Sequence, residues 1–326
     1  MQQNGFDAPK YLQTFSSNLQ ERLGQQSKLY LEVTGNLIDQ GNLSELISGF
    51  EADTYKKIFS PYKYDMDILF CIKAQDAIDD IPMGSEQKPF REFLWIYLKK
   101  IENQFWVRPH IVINFIDIEN MYDIIFSFET HFQKLGYRVW EKYKIRAYSH
   151  DIQQVLSEDG VGNDDHIPVT KKLILIAGLT PECGKLTTAI GQIYLDQEIG
   201  IEAEYAKVEV MPNYSNFKNC PLNIMARAQY LEKAYNEEFD TTLEQIDLYE
   251  RGLEKHAFIQ KTFKILNKAI PSSIEEYLLG QIDDSSMDEK QLTQTATEYL
   301  KNLISDTDNP ELSSKLETLL GEIEEC

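Results

Sequence analysis

The chain has no run of about 18 apolar residues, so it offers no candidate for a membrane-spanning helix. Cysteine is scarce. Cys71, Cys183, Cys220 and Cys326 form no C-x-x-C pair and show no zinc spacing. Cys71 lies in an apolar stretch and reads as core. With no signal sequence, the four read as reduced thiols of a cytoplasmic protein. Gly5 is not placed for myristoylation, and the ending GEIEEC is not a prenylation box. Positive charge is also short, with 32 Lys and Arg against 53 Asp and Glu, a net charge of −21. That balance argues against nucleic acid and anionic membrane as partners, since both need a basic face. There is no G-x-S-x-G elbow, H-E-x-x-H or EF-hand loop.

What is present is an ordinary globular composition, 42% hydrophobic and 26% charged over 326 residues. That length suits two domains, or one large domain with a tail. Apolar runs at 28–33, 67–72, 110–116 and 173–177 read as buried strands, with further strands from Tyr137 and over 202–210. Helical spacing fills the intervals, beginning with Tyr11, Leu12, Phe15, Leu19 and Leu23. Strands that alternate with helices predict an α/β fold: a mostly parallel sheet with flanking helices, Rossmann-like or P-loop-like. After Pro271, segments 274–282, 288–305 and 310–325 read as amphipathic helices in which acids face only Lys290, Lys301 and Lys315. The predicted divisions are an N-terminal α/β domain over 1–156, a second α/β segment over 157–270 and an acidic helical tail over 271–326.

The stretch 171–188, KKLILIAGLTPECGKLTT, carries the most chemistry. A strand running through a short loop into a helix that begins near a lysine is a layout that holds phosphate. The loop departs from a Walker sequence, which has four residues before its Gly-Lys and a hydroxyl directly after the lysine. Here five residues separate Gly178 from Gly184, and Leu186 follows Lys185. The usual Mg²⁺ ligand is therefore missing, and Thr187 and Thr188 come too late. Pro181 offers no N–H, and Glu182 brings a negative charge. The same residues support a purely structural reading, with Thr180 as helix cap, Pro181 as first helical residue and Glu182 in the first turn.

Several segments in order resemble the uncharacterised bacterial family DUF1846, also called UPF0371. They are Gly5-Phe6-Asp7 with Lys10-Tyr11, 28–32 with Gly35 and Leu37, Gly49-Phe50-Glu51 with Asp53, Leu135-Gly136, 157–162, Gly184-Lys185, Gln192-Ile193-Tyr194, Gly200-Ile201, Tyr205-Ala206-Lys207 and Pro221-Leu222-Asn223. Together they cover roughly 5–270. The resemblance implies an α/β core with added helical and mixed subdomains, the later of which this shorter chain lacks. It also implies a nucleotide- or phosphate-binding central loop. The departures fall in polar loops. Family glycines fall on Thr180 and Glu182. A family Lys, His and Arg fall on Asn36, Asn42 and Glu45, its Lys-Asn pair on Asn163-Asp164, and a family Glu on Arg227. Most of these changes remove cations or add carboxylates, each worth about 1–3 kcal/mol at a partly buried anion contact.

Other constellations are weaker. Asp164-Asp165-His166 offers metal-ligating atoms, but adjacent side chains rarely converge. Cys183 at a helix start would be an activated thiol if its pKa were lowered, although Glu182 beside it opposes that. Trp95, Tyr97, Phe105 and Trp106 read as core, with a partner-binding patch as the alternative. Two functions from different classes follow. One is a phosphate- or nucleotide-dependent enzyme with Gly178, Gly184, Lys185, Thr187 and Thr188 at the helix start and Gly160, Gly162, Asp164 and Asp165 facing the same crevice. It takes a small phosphorylated ligand and disfavours Mg²⁺. The other is a non-catalytic scaffold that engages a protein partner through its acidic tail or an aromatic face.

Overall fold

The computed structural model describes residues 6–25, 28–34, 36–47, 49–84, 86–145, 151–211, 221–236, 248–282, 286 and 288–324. Gly5, Gly35, His150, Cys220, Cys326 and segments 212–220 and 237–247 lie outside the described residues. In chain order the elements are α1 (Ala8–Gln25), β1 (Lys28–Val33), α2 (Gly41–Leu46), α3 (Thr54–Phe59), β2 (Met66–Lys73), α4 (Ala74–Asp79), α5 (Phe90–Phe105), β3 (His110–Ile116), α6 (Ile118–Lys134) and β4 (Val139–Tyr143). They continue with α7 (Ile152–Val155), β5 (Leu173–Gly178), α8 (Lys185–Glu198), β6 (Ala203–Val208), α9 (Pro221–Asn236), α10 (Leu248–Ile265), β7 (Leu278–Leu279), α11 (Glu289–Asp306) and α12 (Pro310–Glu324).

Among the described residues the strands form one parallel sheet in the order β4-β3-β2-β5-β1-β6-β7. The apolar runs form strands because central parallel strands are covered on both faces and so need no alternation. β1 is buried throughout. Leu29, Leu31 and Val33 join a core with α1, α3, α5, α6, α9, α11 and α12, while Tyr30 joins another with α7, α8 and α10. β5 lies between β1 and β2, so segments 1–156 and 157–270 share this sheet. The 274–282 segment is not the helix its amphipathicity suggests. It makes a 3₁₀ turn, Ile274–Tyr277, and then β7, which extends the sheet beside β6. α11 and α12 pack with α9, and Arg227 pairs with Glu322 at 2.6 Å. Among the described residues no helix is long and apolar enough to cross a membrane.

This strand order positions a crevice. The chain leaves β1 over the α3 and α5 face, and it leaves the neighbouring β5 over the α8 face. Adjacent parallel strands whose connections diverge leave a gap at their carboxyl ends, where ligands of α/β sheets bind. At the opposite end of the sheet a clamp joins β1 to the last turns of α8. The buried carboxylate of Asp196 accepts from Lys28 Nζ at 2.9 and 3.0 Å and from the Tyr30 hydroxyl at 2.7 Å, and it meets His166 Nε2 at 3.0 Å.

Candidate functional site

The loop between β5 and α8 does not adopt the capped-helix layout. α8 starts at Lys185, preceded by Gly184 at φ 88°, with no side-chain cap. Thr180 does not cap it; its hydroxyl donates to Asp76 in α4 at 2.8 Å. The first amides of an α-helix have no intrahelical acceptor, and no side chain caps those at the start of α8. Glu182, also in the left-handed region at φ 55°, is exposed.

Asn114 near the end of β3 fixes this loop. Its Nδ2 donates to the Cys183 carbonyl at 2.9 Å, and its Oδ1 accepts from the Thr188 hydroxyl at 3.1 Å. The β3–β4 register shifts between Ile113 and Ile116, and Phe115 within that irregularity has φ 66°. A bulge of this kind re-aims side chains. Here Asn114 is directed at the loop and Phe115 at the crevice. Gly178 ends β5 where a Cβ would stand 2.1 Å from Cys183 Sγ, so the missing side chain lets the loop fold back onto the strand.

The crevice is a cavity of about 750 Å³. One wall holds Met83, Phe93, Tyr97 and Phe115, and the other holds Glu32, Lys207, Glu254, Lys255 and Phe258, with loop residues 178–187 between them. Lys207 pairs with Glu209 at 2.8 Å, and Glu32 accepts from the Tyr205 hydroxyl at 2.8 Å. Lys255 is held below the usual lysine range, first by desolvation and then by the charge of Lys207. Lys185 makes no ion pair among the described residues.

Of the residues singled out from sequence, Gly178, Gly184, Lys185 and Thr187 line this cavity, and Thr188, Gly160, Gly162, Asp164 and Asp165 do not. Thr188 is fully buried against Asn114. Gly160 is packed so that a Cβ would lie 2.2 Å from the Val155 carbonyl oxygen, and Gly162 donates its N–H to Ser157 O at 2.9 Å. The buried carboxylate of Asp164 takes the Tyr143 N–H at 2.8 Å and Lys142 Nζ at 3.3 Å. Desolvation pushes it above the usual carboxylate range despite that lysine. Asp165 accepts the Glu141 N–H at 2.8 Å. The loop is thus bound to β4 at the sheet edge, and His166 turns away to Asp196. These three side chains diverge, and among the described residues no cluster of three His, Cys, Asp or Glu could hold a metal.

Cys183 is not an activated thiol. Burial pushes its pKa up, and the nearby charge of Lys185 offsets this only in part. Burial pushes Cys71 up to about 12. At pH 8 iodoacetamide is therefore expected to alkylate Cys71 in the native protein roughly three orders of magnitude more slowly than after unfolding. Cys183 should also be slowed. Peptide mass mapping before and after denaturation checks this, and equal native and unfolded rates would contradict the packing. Sequence reasoning missed Asn114, Phe115, Glu32, Lys207 and Lys255. A signal existed for the first, third and fourth, since a polar residue inside an apolar strand needs a reason to be there.

A family model described as "Domain of unknown function DUF1846, N-terminal" matches residues 4–296. A UPF0371 protein of Corynebacterium glutamicum is 25% identical over 317 residues, covering 93% of this chain and 63% of the relative. One from Corynebacterium aurimucosum is 30% identical over 231 residues, covering 69% of this chain and 45% of the relative. One from Streptococcus pyogenes serotype M28 is 26% identical over 300 residues, covering 87% and 58%. The chain spans about half to two thirds of the length of these relatives.

Proposed function

The chain belongs to the DUF1846 family, and from that premise we propose that it binds a phosphorylated ligand, a nucleotide being one member of the class, at the strand-loop-helix around Lys185. The observation that carries this reading is the cavity itself. Gly178, the loop, Lys185 and the uncapped start of α8 line a space of about 750 Å³, within the usual range of roughly 300–1,000 Å³ for small-molecule sites. The switch-point position of the crevice supports the same reading. Glu182 is the counter-argument, and its exposure weakens it: a charge in water is screened and can swing away. The reading assigns binding and leaves catalysis unassigned. We place the protein in the cytoplasm, where its thiols stay reduced.

Calorimetric titration with ATP, ADP, GTP and inorganic phosphate, with and without Mg²⁺, tests it beside Lys185→Ala. Saturable heat with the native chain is expected, weakened at least tenfold in the variant. No heat at millimolar ligand, with the chain folded, would sink the reading.

One observation favours the second reading, a non-catalytic scaffold. Tyr122 and Phe126 on α6 are 58% and 57% exposed and stack at 6.3 Å between ring centroids. Trp106 is 64% exposed, whereas Tyr97 and Phe105 are core. Aromatic residues presented to water are favoured at protein interfaces.

A further inference from the structure

Within the phosphate-binding reading, which this inference rests on, we infer that the cavity takes a phosphate monoester of a flat, apolar group stacked on Phe115, a ligand of nucleoside monophosphate size that binds without a divalent metal. Three observations lead there.

The first is charge. The lining presents three lysines, Lys185, Lys207 and Lys255, and three glutamates, Glu32, Glu182 and Glu254. Lys207 is committed to Glu209. A tri- or diphosphate would bring more negative charge than this wall can balance, whereas one phosphate group needs little beyond Lys185 and the amides at the start of α8.

The second is the position directly after Lys185, where a phosphate loop places the hydroxyl that holds Mg²⁺. Leu186 follows Lys185 and lines the cavity. Glu32 is the carboxylate at the end of the neighbouring strand. One of its oxygens accepts from the Tyr205 hydroxyl, and the residue lies in register with Lys207.

The third is Phe115. A bulky side chain with positive φ is an outlier that the surrounding structure must enforce, and such strain gathers at ligand sites. Its register irregularity turns an aromatic ring into the cavity beside Phe93 and Tyr97 instead of into the core. A ring half-exposed in a cavity wall is a surface on which a flat apolar group stacks, as bases do on aromatic side chains.

The test is calorimetry on the full chain with AMP, ribose 5-phosphate, inorganic phosphate and ATP with Mg²⁺. The variants are Phe115→Gly, in which the left-handed backbone is relaxed, and Lys185→Ala. AMP should bind at least tenfold tighter than ribose 5-phosphate, and Mg²⁺ should change AMP affinity less than twofold. Phe115→Gly should erase the preference for AMP while leaving ribose 5-phosphate affinity within twofold, and thermal unfolding should show the variant folded. Equal affinity for AMP and ribose 5-phosphate, or tighter binding of Mg²⁺-ATP than of AMP, overturns this inference and leaves the phosphate site standing. An equal loss for both ligands in Phe115→Gly does the same. If none of the four ligands binds the native chain, the phosphate site itself fails.

Discussion

Asp196→Ala is expected to destabilise the protein by about 3–5 kcal/mol, the usual cost of removing one partner from a buried ion pair. The carboxylate is fully buried and the Lys28 side chain is 8% exposed. Alanine would leave that ammonium without a counter-charge and with little water. It would also strip the acceptor from the Tyr30 hydroxyl, whose ring is wholly inside the core. The loss is large against a typical total of about 5–15 kcal/mol. Urea unfolding should show a fall in midpoint with an unchanged slope. The paired change Lys28→Met with Asp196→Leu should recover much of the loss, because a buried pair replaced by apolar groups of similar size is often neutral. A loss below about 1 kcal/mol in the single variant would mean that water reaches the clamp.

Gly184→Ala should cost about 2–4 kcal/mol, through two effects that can be separated. The residue sits at φ 88°, where any Cβ strains the backbone. That Cβ would also stand 2.6 Å from Asn114 Cγ. Asn114 is 1% exposed, and both ends of its amide are committed, so it cannot step aside without releasing the loop. Gly200 provides the comparison, with φ 78° and nothing within 4 Å of an added Cβ. Gly200→Ala should show the strain alone, about 1 kcal/mol. Combining Gly184→Ala with Asn114→Gly, which also removes the Asn114 Cβ that would stand 2.8 Å from the added methyl, should cost less than the sum of the two single changes, by at least about 0.5 kcal/mol. Strict additivity would show that the Asn114 side chain is not what excludes the methyl group.

The fold was readable where burial alone shapes the residue pattern. The runs at 28–33, 67–72, 110–116 and 173–177 are strands in the structure, within a residue or two at their ends. Order within the sheet was not readable, because the place of β5 between β1 and β2 depends on contacts more than 100 residues apart. The loop shows the same limit. Thr180 before Pro181 looks like a local cap, yet its hydroxyl is taken by Asp76, far away in sequence. Gly160 and Gly162 have the composition of a ligand loop, but close backbone packing explains them. The bulge at Phe115 leaves no trace in HIVINFI beyond the polar Asn114, since Ile113, Phe115 and Ile116 are apolar on either register. Leu278 and Leu279 extend the sheet because β6 has an open edge there, which the amphipathic pattern around them could not reveal.

The central placement of β5 also governs how the chain must be born. β1 is complete at Val33, yet its two neighbours in the sheet begin only at Leu173 and Ala203. At a synthesis rate of about 5–20 residues per second, the first of them follows roughly 7–28 s later. β2 finds β3 much sooner, while β1 waits alone for both of its neighbours. Throughout that interval Leu29, Tyr30, Leu31 and Val33 travel as an unpaired apolar strand on the nascent chain. The ribosome-bound chain is therefore the stage at which this apolar strand is exposed longest, and β5, the first neighbour to reach it, also delivers the lysine loop.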